Sequence, residues 1–477
     1  MKICIVGGGS AGWMTATTLV RLLEDDITLV ESPSINTIGV GESTLGHIRD
    51  WINLVGINDS ENDFIRETGA SLKHSIKFTN WLKKDSGSFH YPFGEKPLID
   101  PAIWWRCRNT TPDEISCNTY GQEVNPIGLL AERGKVNREV NYAYHFDATK
   151  FGEFLRERYC QDVNHIFANV IGYNGDSISL DDGQEIEADL FIDCTGFRSL
   201  LLGGFLKEPF ISYDDLLPND SAWATHIPYT DKERQLVAYT ECTAINNGWV
   251  WNIPLWDNIG TGYVYSSKHI SHKDAKQEFI DYLGTSDGEF RHISMKIGRY
   301  KRTWVKNVVA IGLSAGFIEP LESNGLLTVH ENLKSLYTVL RRGKPSQLMK
   351  DYYNFGTAGA LDTFAQFVAI HYGLTQREDT QYWRDIFNKQ YDMEMKPPVY
   401  GISAFASDLF IGRTSEYDKR GTHYIESGMN LSPIIHNVGN SINCLSQRKQ
   451  FNEEWEEKVN NLPTLYEYLK KTIYFKT

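Results

Sequence analysis

The sequence contains no Cys-x-x-Cys pair; its seven cysteines, Cys4, Cys107, Cys117, Cys160, Cys194, Cys242 and Cys444, are scattered. That scatter argues against a zinc knuckle or a disulfide framework and predicts free, buried thiols in a reducing cytoplasm. No metal site is expected. A run of about 18 apolar residues is also missing, so no membrane-spanning helix is expected. In place of a basic-then-apolar leader the chain opens on a short strand, residues 2–6, and a cytoplasmic protein is expected. Positive charge is in deficit, with 48 Lys+Arg against 61 Asp+Glu and a formal net charge of −13. Nucleic acid and anionic membranes bind basic surfaces, so neither is expected as a partner. Internal repeats, low-complexity tracts and clear linkers are absent as well.

What is present is ordinary folded-protein composition, 41% hydrophobic and 23% charged, with aromatics high at 13%. Aromatic side chains mostly fill cores and interfaces, so the surplus alone assigns nothing. The chain's 477 residues give a soft prior of about three domains. Ile3-Cys4-Ile5-Val6 runs straight into Gly7-Gly8-Gly9-Ser10-Ala11-Gly12. A helix follows over 13–24, with Trp13, Thr17, Val20 and Leu23 at helical spacing, then a strand over 27–30 ending at Glu31. Strand, glycine turn, helix and a late acid form the context a dinucleotide fingerprint requires. The glycines let backbone N–H groups approach a pyrophosphate at the positive helix end, and Glu31 can accept from a ribose.

Strands over 167–173, 177–180 and 185–192 are separated by Asn174-Gly175 and Asp182-Gly183 turns and end in Asp193-Cys194-Thr195-Gly196. Such a meander is typical of flavoproteins with the two-dinucleotide-binding, Rossmann-like α/β fold. Only one G-x-G-x-x-G occurs, so no second, nicotinamide-binding unit is visible. A late strand over 308–315 and a helix over 324–340 complete the expected FAD site. From about residue 340 the pattern turns to amphipathic helices, for example 351–372 and 453–462, while 397–445 reads as loops. The expected organisation is a flavin core over 1–330 and a mostly helical substrate-binding region over 331–477.

Several segments then point to one chemistry. They are the glycine turn running on to Trp13-Met14, Ile38-Gly39-Val40-Gly41-Glu42, and the alternating stretch Gly69-Ala70-Ser71-Leu72-Lys73-His74-Ser75-Ile76-Lys77-Phe78. Further on come His145-Phe146-Asp147-Ala148, the W-x-W-x-I-P run over 249–254, and Gly312-Leu313-Ser314 leading to Glu319-Pro320-Leu321-Glu322-Ser323. Together they resemble the flavin-dependent halogenases of the tryptophan-halogenase family. The general character also resembles members from marine bacteria and their phages.

The resemblance implies that reduced FAD, oxygen and halide yield hypohalous acid, which travels through a tunnel to an electron-rich ring. It places the cofactor on Gly7, Gly8, Gly9, Ala11, Gly12, Glu31, Ser32, Val40, Glu42, Leu313 and Leu326. Lys73 becomes the essential lysine, with Lys77 as its structural control, although a lone strand lysine is usually a solvated surface charge. Glu322 becomes the second catalytic residue, although its position also suits a first-turn glutamate. Backbone amides around Asn324 and Gly325 would form the halide nest. Trp249 and Trp251, two apart in a strand, would separate flavin from substrate. Without a second nucleotide fingerprint, a separate NAD(P)H-dependent flavin reductase must supply FADH2; a homo-oligomer is left open.

Two departures shape the expectation. Asn324 stands where tryptophan-specific members usually carry Thr, which shifts the halide expectation toward bromide or iodide. Phe89-His90-Tyr91-Pro92-Phe93-Gly94 resembles a substrate-contact loop, but with Tyr91 where those members usually have His. His90, Tyr91 and Phe93 are therefore the expected substrate contacts, and the C-terminal lid that clasps free tryptophan has no counterpart within 397–445. A small indole or phenol is the expected substrate. The alternative is an aromatic monooxygenase on the same flavin scaffold, and a catalytically silent flavin-binding protein is a third reading.

Overall fold

The computed structural model describes the chain except residues 24, 36–38, 40, 95–96, 100, 112–114, 390–420, 432–443 and 476–477. The described residues form two compact units, each assembled from three stretches of chain. The first takes Met1–Ala70, Phe146–Asp215 and Met295–Asp362. Its centre is a six-stranded sheet in the order Trp304–Val305, Val308–Ala310, Leu190–Asp193, Lys2–Val6, Asp26–Glu31, Asn164–Phe167. All neighbours run parallel except the edge strand Trp304–Val305. Parallel strands covered on both faces read as continuous apolar runs, as 3–6 and 308–311 do. Cys4, Val6, Val30, Phe191, Val308 and Ala310 share one buried cluster with the meander residues Ile178 and Leu180.

The helix Ser10–Leu22 starts immediately after the glycine turn. A Cβ on Gly12 would stand 1.9 Å from the Gly7 carbonyl oxygen, so only glycine lets the helix begin this close to the strand. The expected meander appears as Val170–Tyr173, Ser177–Leu180 and Glu185–Glu187, antiparallel throughout, before the chain returns to the central sheet. At that return the buried Asp193 carboxylate accepts from Thr195 N–H and Oγ1–H, at 3.1 and 2.6 Å, and from Leu201 and Leu202 N–H, at 2.8 and 2.9 Å. Burial nonetheless pushes its pKa up, against the pull of those donors.

The second unit takes Ser71–His145, Leu216–Ser294 and Thr363–Thr477. Its frame is a seven-stranded sheet ordered Arg291–Ser294, Ser221–Ile227, Ile259–Tyr265, Gly248–Pro254, Tyr239–Ile245, Ser75–Thr79, Ser88–Pro92. Only the pair Tyr239–Ile245 and Ser75–Thr79 is parallel. The alternating stretch 71–78 is two strands, not one. Ser71–Lys73 pairs with Ala143–Phe146, whereas Ser75–Thr79 joins the large sheet. His74 stands at the changeover, its N–H donating to Ala238 O at 2.7 Å and its carbonyl accepting from Phe93 N–H at 3.0 Å.

Two local expectations are corrected. Gly421–Gly428 is helical inside the segment read as loops, and Cys444–Asn460 starts its helix earlier than the sequence pattern indicated. Cys107 is disulfide-bonded, whereas Cys4, Cys117, Cys160, Cys194 and Cys242 are free and buried. Spacing along a chain cannot show which thiols meet in space, so the exception was invisible to it. No helix among the described residues is long and apolar enough to cross a membrane.

Candidate active site

In the first unit, the turn at 7–12 has the features a nucleotide diphosphate needs. Gly9 caps the helix Ser10–Leu22 without any side-chain bond, and no acid occupies the first helical turn. The positive end of the macrodipole is thus left for an anion. A Cβ on Gly9 would meet nothing within 4 Å, whereas one on Gly8 would strike the Glu31 carboxyl at 2.1 Å. The turn is therefore open on one side and closed against Glu31 on the other. Glu31 accepts from His165 Nε2 at 2.9 Å, and Ser32 Oγ donates to Asn169 Oδ1 at 2.6 Å. Leu313 lies in the short turn Gly312–Ser314, whose Gly312 approaches Ala11 so closely that a Cβ there would stand 3.0 Å from the alanine methyl. Leu326 is buried in the helix Gly325–Leu340. Val40 lies outside the described residues. The open glycine face and uncapped helix end fit FAD.

The same unit carries the second turn. Pro320–Glu322 is a single tight helical turn, and Ser323 follows in the left-handed region at φ 57°. Backbone in that region is uncommon for a non-glycine residue, and it reverses the chain into the next helix. Glu322 is 0% exposed. Asn324 caps the helix Gly325–Leu340 with its backbone only; its side-chain Oδ1 and Nδ2 are buried and meet no partner. A Cβ on Gly325 would find open space, and the first turn carries no acid. Ser43 Oγ lies 3.0 Å from Ser323 Oγ, which brings the strand Glu42–Ser43 to this turn. Desolvation raises the Glu42 carboxyl to about 7.

In the second unit, Lys73 is 0% exposed, with its ammonium 4.9 Å from the centre of the Phe93 ring. The solvated-surface alternative for this lysine is thereby set aside. Ser71 and Lys73 project from the same face of their strand, and the ladder sets His145 opposite Ser71. The neighbouring imidazoles carry no charge to compete with the ammonium. Burial lowers His74 to about 4, while burial and then the charge of Lys73 lower His145 well below the ordinary histidine value. Lys77 is half-buried, 5.4 Å from the Tyr239 ring.

Tyr91 and Phe93 come together, ring centroids 6.2 Å apart and edge-to-face. Tyr424 stacks on Tyr91 at 6.0 Å and Phe367 meets it edge-on at 6.2 Å, so four rings form one wall. His90 is not part of it. Strand alternation sends its ring to the other face, where Nδ1 meets Ser75 Oγ at 2.8 Å and Nε2 meets Glu132 at 3.1 Å. Tyr424 and Phe367 had no local signal, because they lie more than 250 residues from Tyr91 in sequence.

Trp249 and Trp251 share a face of Gly248–Pro254, with ring centroids 6.1 Å apart. The Trp251 ring lies on Gly262 of the neighbouring strand, where a Cβ would strike it at 2.2 Å. Its buried Nε1–H meets no acceptor. Among the described residues no cluster of His, Cys, Asp or Glu could hold a metal ion.

Comparison with known proteins agrees with this chemistry. The tryptophan halogenase family profile matches residues 2–429. Tryptophan 6-halogenase SttH from Streptomyces toxytricini is 35% identical over 424 residues, covering 80% of each chain. The solved structure of VirX1 superimposes with a TM-score of 0.92 at 38% identity, covering 99% of each chain. BrvH, a flavin-dependent halogenase from Brevundimonas sp. BAL3, gives 0.85 at 30% identity over 98% of each chain. The chain belongs to the tryptophan halogenase family and is a flavin-dependent halogenase.

Proposed function

We propose that this halogenase acts on an electron-rich ring of the indole or phenol type, with Lys73 and Glu322 as its catalytic residues and bromide or iodide as its preferred halide. The observation that carries the reading is the fully buried ammonium of Lys73 against Phe93, beside the ring wall of Tyr91. Out of water, an ammonium interacts far more strongly with a bound oxidant than it does at a surface. Lys73 can hydrogen-bond hypohalous acid and so sharpen its halogen as an electrophile, or carry the halogen as a haloamine. Glu322 orients that acid or accepts the proton the ring loses after attack.

FAD would be held by Gly7, Gly8, Gly9, Ala11, Gly12, Glu31, Ser32, Val40, Glu42, Leu313 and Leu326. When bound and reduced, it supplies with oxygen the two-electron oxidation of halide. Asn324 and Gly325 present the helix end to the halide, and the buried Asn324 amide favours a large, weakly hydrated ion. Trp249 and Trp251 keep substrate from the flavin, and a separate NAD(P)H-dependent reductase delivers FADH2.

A competition among chloride, bromide and iodide over a panel of indoles and phenols, read by mass spectrometry, tests this reading. Replacement of ring hydrogen by halogen is expected. A halide-independent gain of one oxygen would instead mark an aromatic monooxygenase. Lys73→Ala should still produce hypohalous acid but no halogenated ring, and Lys77→Ala should keep halogenating.

A further inference from the structure

Ser71, His145, Thr240 and Pro254 form one buried chain of hydrogen bonds beside Lys73, all within the second unit. Ser71 Oγ lies 2.5 Å from Pro254 O, 3.2 Å from His145 Nδ1 and 183 residues from Pro254 in sequence. A carbonyl has no proton to give, so the single Ser71 hydroxyl proton goes to Pro254 O. Ser71 Oγ must then accept, which makes His145 Nδ1 the protonated nitrogen. In a neutral imidazole the other nitrogen is an acceptor, and Nε2 lies 2.8 Å from the Thr240 hydroxyl, which donates to it. The contacts at both ring nitrogens point to the same tautomer, with the proton on Nδ1.

The direction of this chain matters because of what it joins. Ser71 is two residues from Lys73 on the same strand face, and Pro254 ends the W-x-W-x-I-P strand. One hydroxyl therefore ties the lysine's strand to the strand bearing Trp249 and Trp251. His145 sits on that shared face opposite Ser71, diagonal to Lys73. A flexible four-carbon side chain loses rotamer freedom when held in one place, so its base must be rigid for the ammonium to stay aimed. A cationic imidazole here would repel the ammonium; a neutral one holds the strand without doing so.

We propose that His145, fixed as its Nδ1–H tautomer between Ser71 and Thr240, is a positioning residue that aims Lys73. The proposal rests on the reading of Lys73 as catalytic. It makes three demands: the bond to Ser71 is needed, the bond from Thr240 sets the tautomer, and formation of hypohalous acid does not depend on either.

The test uses the full-length enzyme with FAD, a flavin reductase, bromide and indole, and scores brominated indole per hypobromous acid trapped by a 1,3-diketone. His145→Phe keeps a ring but no nitrogen and should lower that ratio roughly 10- to 100-fold, the scale set by an ångström of misplacement. Its KM for indole and its rate of hypobromous acid formation should stay those of the parent. His145→Asn, which can place an N–H near the Nδ1 position, should recover more of the ratio than His145→Gln, which reaches only toward Nε2. If His145→Phe does not fold, Ser71→Ala carries the same expectation with a smaller change. A parental ratio in a folded His145→Phe or Ser71→Ala enzyme, with the ratio lost in Lys73→Ala, overturns the positioning role alone. A better rescue by Gln than by Asn overturns the tautomer and with it the proposal. A parental ratio in Lys73→Ala overturns the reading of the lysine itself.

Discussion

Burial places the Glu42 carboxyl, at about 7, well above the ordinary glutamate value near 4.5. Below about pH 4.5 the group is neutral in both folded and unfolded chains and costs nothing. Between 4.5 and 7 the unfolded chain ionises first and the folded protein holds the extra proton, so stability falls as pH rises through that window. Glu42→Gln abolishes this term. The stability gained by the variant over the parent should therefore grow between pH 5 and pH 8, measured as the difference in melting temperature without added FAD. A difference that stays constant over that range would contradict the shift. His74 and His145 titrate in both proteins and cancel from the comparison. At this scale the sequence singles out a residue wherever it belongs to a contiguous motif, as Lys73, Glu322 and Trp251 do. It was silent on Tyr424 and Phe367, which lie hundreds of residues from Tyr91, and on the burial that distinguishes Lys73 from an exposed strand lysine, which depends on packing against Phe93 and the strand Ala143–Phe146.

Among the elements, the cross-strand pair Trp251–Gly262 shows how a strand can be specified by an absence. The indole occupies the volume a side chain at 262 would need. Gly262→Val should push Trp251 off its face and destabilise the unit by about 1–3 kcal/mol, the usual cost of overfilling a core. Chemical denaturation and Trp fluorescence would report it, and an unchanged midpoint would show that the ring moves freely. The opening strand, glycine turn and helix were legible because periodicity, turn chemistry and an acid at the right distance agree. The stretch 71–78 misled because alternation is the same on either side of a change of sheet. Only the long-range partners, Ala143–Phe146 for one half and Tyr239–Ile245 for the other, reveal the break.

For the molecule as a whole, the decisive feature is that each unit is discontinuous. The central sheet of the first unit places Leu190–Asp193 between Lys2–Val6 and Val308–Ala310. Beyond residue 330 the helix Gln347–Gly373 still contributes Asn354, whose Oδ1 accepts from Thr303 and Trp304 N–H at 2.9 and 2.7 Å and whose Nδ2 donates to Trp304 O at 2.9 Å. A fragment ending at residue 330 strands those buried backbone groups, each at about 1–3 kcal/mol. The fragment 1–330 should show no cooperative melt and no FAD-dependent rise in melting temperature; a sharp, FAD-shifted transition would refute this. The crossings between units leave no mark in a linear pattern, since no linker or shift of composition accompanies them.

The change of sheet at His74 has one more consequence. Lys73 and Lys77 are equivalent by strand period, yet one is sealed beneath Phe93 and the other half-open beside Tyr239. Because they sit four residues apart, a single proteolytic peptide can carry both, recovered from one digest at one abundance. The ratio of an amine-reactive mass tag at the two positions is therefore an internal gauge: a native molecule is tagged at 77 and spared at 73, and any loosening of the buried site registers without an outside standard.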